Sequence, residues 1–165
     1  MAAITYRMAT VEDADTLAAL RWEMEAERHD ASQVDQAMFL ASSHATLQPE
    51  LAAGRYTAFL AEADGQVIAC AILVSWPMLP SMQRVQRARG FVSSVYTKPA
   101  YRRQGISRRL MQSLITHAQQ RGVHRLILWA SEMGRPLYES LGFSPSRGYE
   151  LNIVPNEDAD CDRPL

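Results

Sequence analysis

Residues 91–121, FVSSVYTKPAYRRQGISRRLMQSLITHAQQR, change periodicity partway along, and that change constrains the fold more than any other stretch. The segment 91–97 is rich in β-branched and aromatic residues, has no helical spacing of apolar positions and stops at Lys98-Pro99, so it reads as a strand. From Ile106 onward the apolar residues are Ile106, Leu110, Met111, Leu114, Ile115 and Ala118, the stripe of a helix with one buried face, and Gly122 closes it. A strand that turns into such a helix points to an α/β or α+β domain, its helices laid on a sheet.

Between the two lies Arg102-Arg103-Gln104-Gly105-Ile106-Ser107-Arg108-Arg109. The first turn of a helix has unpaired N–H groups at the positive end of its dipole, and a glycine lets a ligand approach the backbone closely. Four arginines add charge, which makes phosphate the natural occupant. A merely solvated arginine-rich helix start accounts for the same residues.

Charge is distributed unevenly. The net charge is only −1, so no bulk attraction to nucleic acid or membrane is implied. From Pro80 to Ser131, however, there is no Asp or Glu, while ten Arg and Lys residues fall inside that block. The first forty residues are acidic, with Glu23, Glu25 and Glu27 among them. The 165 residues, 47% apolar and 21% charged, suit one globular domain. Cys70 and Cys161 have no metal or disulfide spacing, and neither a signal-peptide pattern nor a membrane-length apolar run is present. A soluble, cytoplasmic protein is expected.

The remaining elements follow from local pattern. A half-exposed strand is expected over 4–8, then a helix over 11–28 capped by Thr10 with Asp13, burying Val11, Ala14, Leu17, Ala18 and Trp22. A second helix is expected over 32–53, interrupted near Ser42-Ser43-His44, with Val34, Met38, Leu47 and Leu51 inside. Strands over 56–62 and 67–76 flank Asp64-Gly65, a hairpin signal, and 77–80 leaves the sheet as a loop. Residues 123–130 read as a strand buried on both faces, 131–143 as a short helical stretch, 148–154 as a last strand and 155–165 as an acidic tail. The order is β-α-α-β-β-β-α-β-α-β, in a mixed sheet with helices on both faces and one domain over 1–154.

These residues carry a resemblance. The order of elements, the run Arg102-x-x-Gly105-x-Ser107 and the ending Tyr138-Glu139-Ser140-Leu141-Gly142-Phe143 are similar to the GNAT superfamily of acetyl-CoA-dependent N-acetyltransferases. Ser107 stands where that superfamily has Gly or Ala, which keeps a small residue and a backbone N–H. The resemblance implies a mostly antiparallel central sheet and acetyl-CoA as acyl donor, with no metal. It implies that backbone groups of Val95 and Thr97 pair with the pantetheine arm, and that Arg102, Arg103, Gln104, Gly105, Ile106, Ser107 and Arg108 hold the pyrophosphate.

It also implies a reaction, direct attack of a neutral primary amine on the thioester. Tyr138 is the expected general acid, since a phenol with a reference pKa of about 10 can pass a proton to a leaving thiolate. The Val95 N–H is placed to polarise the thioester carbonyl. Cys70, in a core strand, is expected to be inert, which disfavours a covalent acyl-enzyme. Glu132, the first carboxylate after the basic block, is the candidate base; Glu25, His29, Ser93, Ser94 and water stand beside it. The acceptor is a small-molecule amine or peptide, with a homodimer left open. A non-catalytic acetyl-CoA sensor is the alternative. A nucleic-acid site ranks last, because the arginines gather at one helix start without interleaved aromatics.

Overall fold

A computed structural model describes residues 3–83, 85, 87–146 and 148 of the chain. Five strands form one sheet in the order of the chain: β1 (Thr5–Met8), β2 (Tyr56–Ala63), β3 (Gln66–Met78), β4 (Arg87–Thr97) and β5 (Val123–Ile127). The first three pairings are antiparallel and the fourth is parallel, giving the expected mixed and mostly antiparallel sheet. The parallel pair needs a crossover, which α3 (Ile106–Gln120) supplies.

The two faces are covered by different helices. Ile106, Leu110, Met111 and Leu114 of α3 pack on Ala61, Ala71, Leu73 and Val92. On the other face, Leu17, Leu20 and Met24 of α1 (Ala14–Ala26) and Leu47 of α2 (Gln36–Ala52) pack on Ala58, Leu60, Cys70, Ile72 and Tyr96. Each fully buried leucine contributes about 1.5–3 kcal/mol, so these stripes hold the layers together. Gly90 lets β5 close on the sheet. A Cβ there would lie 2.6 Å from Leu73 Cδ1 and 2.8 Å from Leu126 Cδ2.

The hairpin over Asp64-Gly65 forms as expected, with φ of 50° and 74° at its two central residues, the mirror-image turn that suits strand twist. Thr10 and Asp13 form their capping box, although the first turn, Val11–Asp13, is a 3-10 turn. Asp13 also takes two 2.7 Å hydrogen bonds from Arg7 on β1, locking the helix start to the first strand.

Elsewhere the structure departs from expectation, for identifiable reasons. The first helix ends at Ala26, with Trp22 half-buried and edge-on to Phe39 at 5.2 Å. The α2 helix runs unbroken through Ser42–His44, and Asp35 caps it, so Val34 falls outside. Val34 and Met38 are exposed, since the inward face of α2 starts at Phe39 and Leu40 and runs on to Leu47. β3 continues through Pro77, which pairs with Ala88, and β4 therefore begins at Arg87. β5 stops at Ile127 and is an outer strand among the described residues, leaving His124 and Arg125 exposed rather than buried on both faces. The last helix, α4, is Arg135–Ser140. The strand expected over 148–154 and the tail over 155–165 lie outside the described residues, apart from Gly148.

Candidate active site

The site is built on an irregularity of β4. Cys70 and Ile72 are two residues apart on β3, yet pair with Tyr96 and Ser93, three apart on β4, so β4 carries one extra residue. Ser94 absorbs it at φ 51°, a left-handed conformation that costs roughly 1–3 kcal/mol for a residue other than glycine. Its surroundings hold it there: Arg21 Nη1 donates to Ser94 Oγ at 2.9 Å, and the Cys70 thiol donates to the Ser94 carbonyl at 3.2 Å. The bulge shifts the alternation, so that Val92 and Val95, three residues apart, both face the α3 side.

Beyond the bulge the sheet opens. The ladder between β4 and β5 ends at Phe91 and Ile127, so the 92–97 edge of β4 faces no strand among the described residues. Val95 and Thr97 lie on this edge.

The same strand leads into the turn. After a short 3-10 stretch, Pro99–Tyr101, both Arg103 (φ 64°) and Gly105 (φ 76°) are left-handed, and α3 starts at Ile106 with no side-chain cap on its first N–H groups. A Cβ at Gly105 would meet nothing within 4 Å, so glycine answers the backbone conformation and leaves the helix end open. Thr97 Oγ1 and Ser107 Oγ are 2.8 Å apart, tying the strand end to the first turn of the helix.

The arginines of the turn divide into distinct tasks. Arg102 turns inward: its Nε donates to the Thr97 carbonyl at 2.8 Å, its Nη2 to Glu27 at 2.5 Å, and it lies 5.6 Å from the Tyr96 ring. Arg108 donates to Ser140 Oγ at 2.8 Å, binding α3 to α4, and Arg109 lies over Tyr6. Arg103 and Gln104 are exposed and make no such contact among the described residues, which leaves Arg103 as the available cation of the turn.

Behind the turn is a network that sequence reasoning missed. Tyr96 Oη donates to Glu27 at 2.6 Å, and Lys98 pairs with Glu23 at 3.0 Å. Burial pushes the Glu27 carboxyl up, but the hydrogen bonds from Tyr96 and Arg102 outweigh it and hold the group below the usual carboxylate range. Burial, then Glu27, pushes the Tyr96 phenol up, so it stays a donor. Glu23 and Glu27 are one helical turn apart, a spacing visible in the sequence; their partners on β4 and the turn are not.

Tyr138 sits on α4, half-buried against the α3-side core and edge-on to Phe143 at 6.0 Å. Its hydroxyl makes no hydrogen bond among the described residues. Burial raises its pKa, and the Arg28 charge opposes that shift. Glu132 is exposed in the turn before α4 and makes no hydrogen bond or ion pair among the described residues. Glu25 lies between Arg21 at 3.1 Å and His29 at 3.6 Å. Cys70 is fully buried, its thiol pushed up to about 12 by burial, which suits a core residue and not a nucleophile.

Residues 15–143 match the acetyltransferase (GNAT) family, and the chain belongs to that family. It is 32% identical over 85 residues to the glucosamine 6-phosphate N-acetyltransferase of Trypanosoma brucei brucei, a match covering 52% of this chain and 56% of that protein. The match thus spans about half the length of the curated relative. Among solved structures, a predicted acetyltransferase of Clostridium acetobutylicum with acetyl-CoA superposes with a TM-score of 0.82 at 26% identity, over 92% of this chain and 97% of the other. A GCN5-related N-acetyltransferase of Ralstonia eutropha JMP134 superposes at 0.74 with 27% identity, over 92% and 99%.

Proposed function

We propose that the protein transfers an acetyl group from acetyl-CoA to a primary amine of a small molecule by direct attack, in a cytoplasmic setting. The observation that carries this reading is the pairing of two open features on one stretch of chain: a strand edge that ends its ladder at Phe91, and an uncapped helix start at Ile106. The first fits the amides of a pantetheine arm as an added strand would, and the second fits a pyrophosphate. Coenzyme A carries both on one molecule.

In this reading Val95 and Thr97 offer backbone groups to the arm, and the N–H groups of 103–108 hold the phosphates with Arg103 as side-chain cation. Arg102 acts from behind, holding the Thr97 carbonyl and the turn. The bound donor supplies a thioester acyl group; the chain supplies the Val95 N–H, aimed by the bulge, as a donor to the acyl oxygen. Tyr138 keeps its proton at neutral pH because burial raises its pKa, and its unpaired hydroxyl can give that proton to the departing sulfur. Water, or the exposed carboxylate of Glu132, takes the proton from the amine.

The relative's name makes glucosamine 6-phosphate one acceptor to test. The experiment is thiol release from acetyl-CoA across a panel of primary amines, with calorimetric binding of acetyl-CoA alongside. Turnover with at least one amine, reduced in Tyr138→Phe, is expected. Tight binding with no turnover across the panel would favour a sensor instead.

A further inference from the structure

Where the β4–β5 ladder ends, two aromatic rings meet. Phe91 of β4 and Trp129, two residues beyond the end of β5, have ring centroids 4.4 Å apart at an interplanar angle of 58°. Trp129 is 70% exposed while packed on Phe91, so its outer ring face is open to a ligand. The sheet register fixes their face. Ile72 belongs to the α1 and α2 side, Val74 follows two residues on, and Phe91 pairs with Val74, so Phe91 lies on that same face.

The ring pair stands where the β4–β5 ladder ends, on the face of the sheet that α1 covers. Further along the same strand are the bulge and Ser94, held by Arg21 of α1, which also pairs with Glu25 near the end of that helix. The rings and the bulge thus share one strand and one face, at the start of the edge proposed to take the donor.

We infer that Phe91 and Trp129 form an acceptor subsite that selects amines bearing an aromatic or planar apolar group. The inference rests on the acetyl-transfer reading and sharpens it, since an aromatic ring pair rewards a flat apolar group and offers nothing to the charge of a sugar phosphate. An aromatic acceptor would lie on the exposed face of Trp129, edge to face or offset, with its amine extending along β4 toward the bulge.

The test compares 2-phenylethylamine with n-butylamine and glucosamine 6-phosphate, in the wild type, Trp129→Ala and Trp129→Phe. Binding of each amine to the protein saturated with coenzyme A is followed by calorimetry, and turnover by thiol release. The wild type is expected to favour the aryl amine by about tenfold or more in both readouts. Trp129→Ala should lose that preference with the KM for acetyl-CoA unchanged, and Trp129→Phe should recover much of it. Because Trp129 is exposed, the variants are expected to fold, which circular dichroism verifies. Trp129-dependent aryl binding without turnover would keep the subsite and remove the transfer reading. Turnover indifferent to the ring, or a Trp129→Ala variant with unchanged discrimination, would overturn the subsite. So would a change in sedimentation mass on Trp129→Ala, which would make the pair a subunit contact.

Discussion

Arg21 on α1 reaches 2.9 Å to the hydroxyl of Ser94, the left-handed residue in the middle of β4. This bond joins α1 to the bulge of β4, so in the proposed reaction it would couple the acceptor side to the Val95 N–H. Removing it should relax the bulge without unfolding the sheet, whose core lies elsewhere. Arg21→Met is expected to lower kcat by about tenfold, with a much smaller change in the KM for acetyl-CoA and a stability loss of about 1 kcal/mol. Steady-state kinetics and urea unfolding read the two effects separately. Equal losses in kcat and global stability would point to a purely structural bond.

Tyr138 has no hydrogen-bond partner for its hydroxyl among the described residues, so removing the hydroxyl leaves no buried group unsatisfied. Tyr138→Phe should therefore unfold within about 0.5 kcal/mol of the wild type. Its kcat should fall by about 100-fold through loss of the acid. The raised phenol pKa also has a sign: the proton stays on until above its ordinary value of about 10. A kcat profile should show no phenol-dependent decline between pH 7 and 9, and a decline there that disappears in Tyr138→Phe would argue against this environment.

Gly105 combines φ 76° with open space where a side chain would point. Gly105→Ala is expected to cost about 1 kcal/mol in thermal unfolding, from backbone strain alone. Gly105→Glu should abolish acetyl-CoA binding while folding, because it places a carboxylate beside the N–H groups proposed to hold the phosphates. Calorimetry checks this, and unchanged affinity in the folded variant would remove the phosphate assignment.

Asp13 accepts from Arg7 and from the Thr10 N–H, and the Arg7 hydrogen bonds hold its pKa below the usual carboxylate range. Its contribution to stability is present above the unfolded-state value of about 4, and is lost as pH falls through the lower folded value. Asp13→Asn should cost about 1–2 kcal/mol at pH 7 and progressively less as pH falls below 4. Urea midpoints of the two proteins across pH 7 to 3 should converge.

Much of the fold was legible because its signals are local. Asp64-Gly65 demands a tight hairpin, the stripe from Ile106 to Ala118 demands a sheet to lie on, and Thr10 with Asp13 demands a helix start. The errors came where the environment decides. Val34 and Met38 have the right spacing for burial, but Val34 lies before the helix and the inward face of α2 runs through Phe39, Leu40 and Leu47 instead. Residues 123–130 look like a central strand, yet β5 is an outer one among the described residues, and Trp129 lies past its end. At the site, the glycine turn could be read from the local pattern, whereas Tyr138 is singled out only by the resemblance of the 138–143 ending to the family. The inward turn of Arg102 to Glu27 could be read from neither, because it joins residues 75 positions apart. No pattern in Val92-Ser93-Ser94-Val95 marks the extra residue, which becomes visible only through its pairing with β3.

The 2.8 Å contact between Thr97 Oγ1 and Ser107 Oγ has a consequence for which donors fit. It joins the end of the open strand edge to the first turn of α3, so the protein, not the ligand, sets the separation between the groups proposed to bind the donor's amides and its phosphates. The strand and the turn together act as a ruler, and only a donor whose amides and phosphates are spaced to match can engage both ends at once.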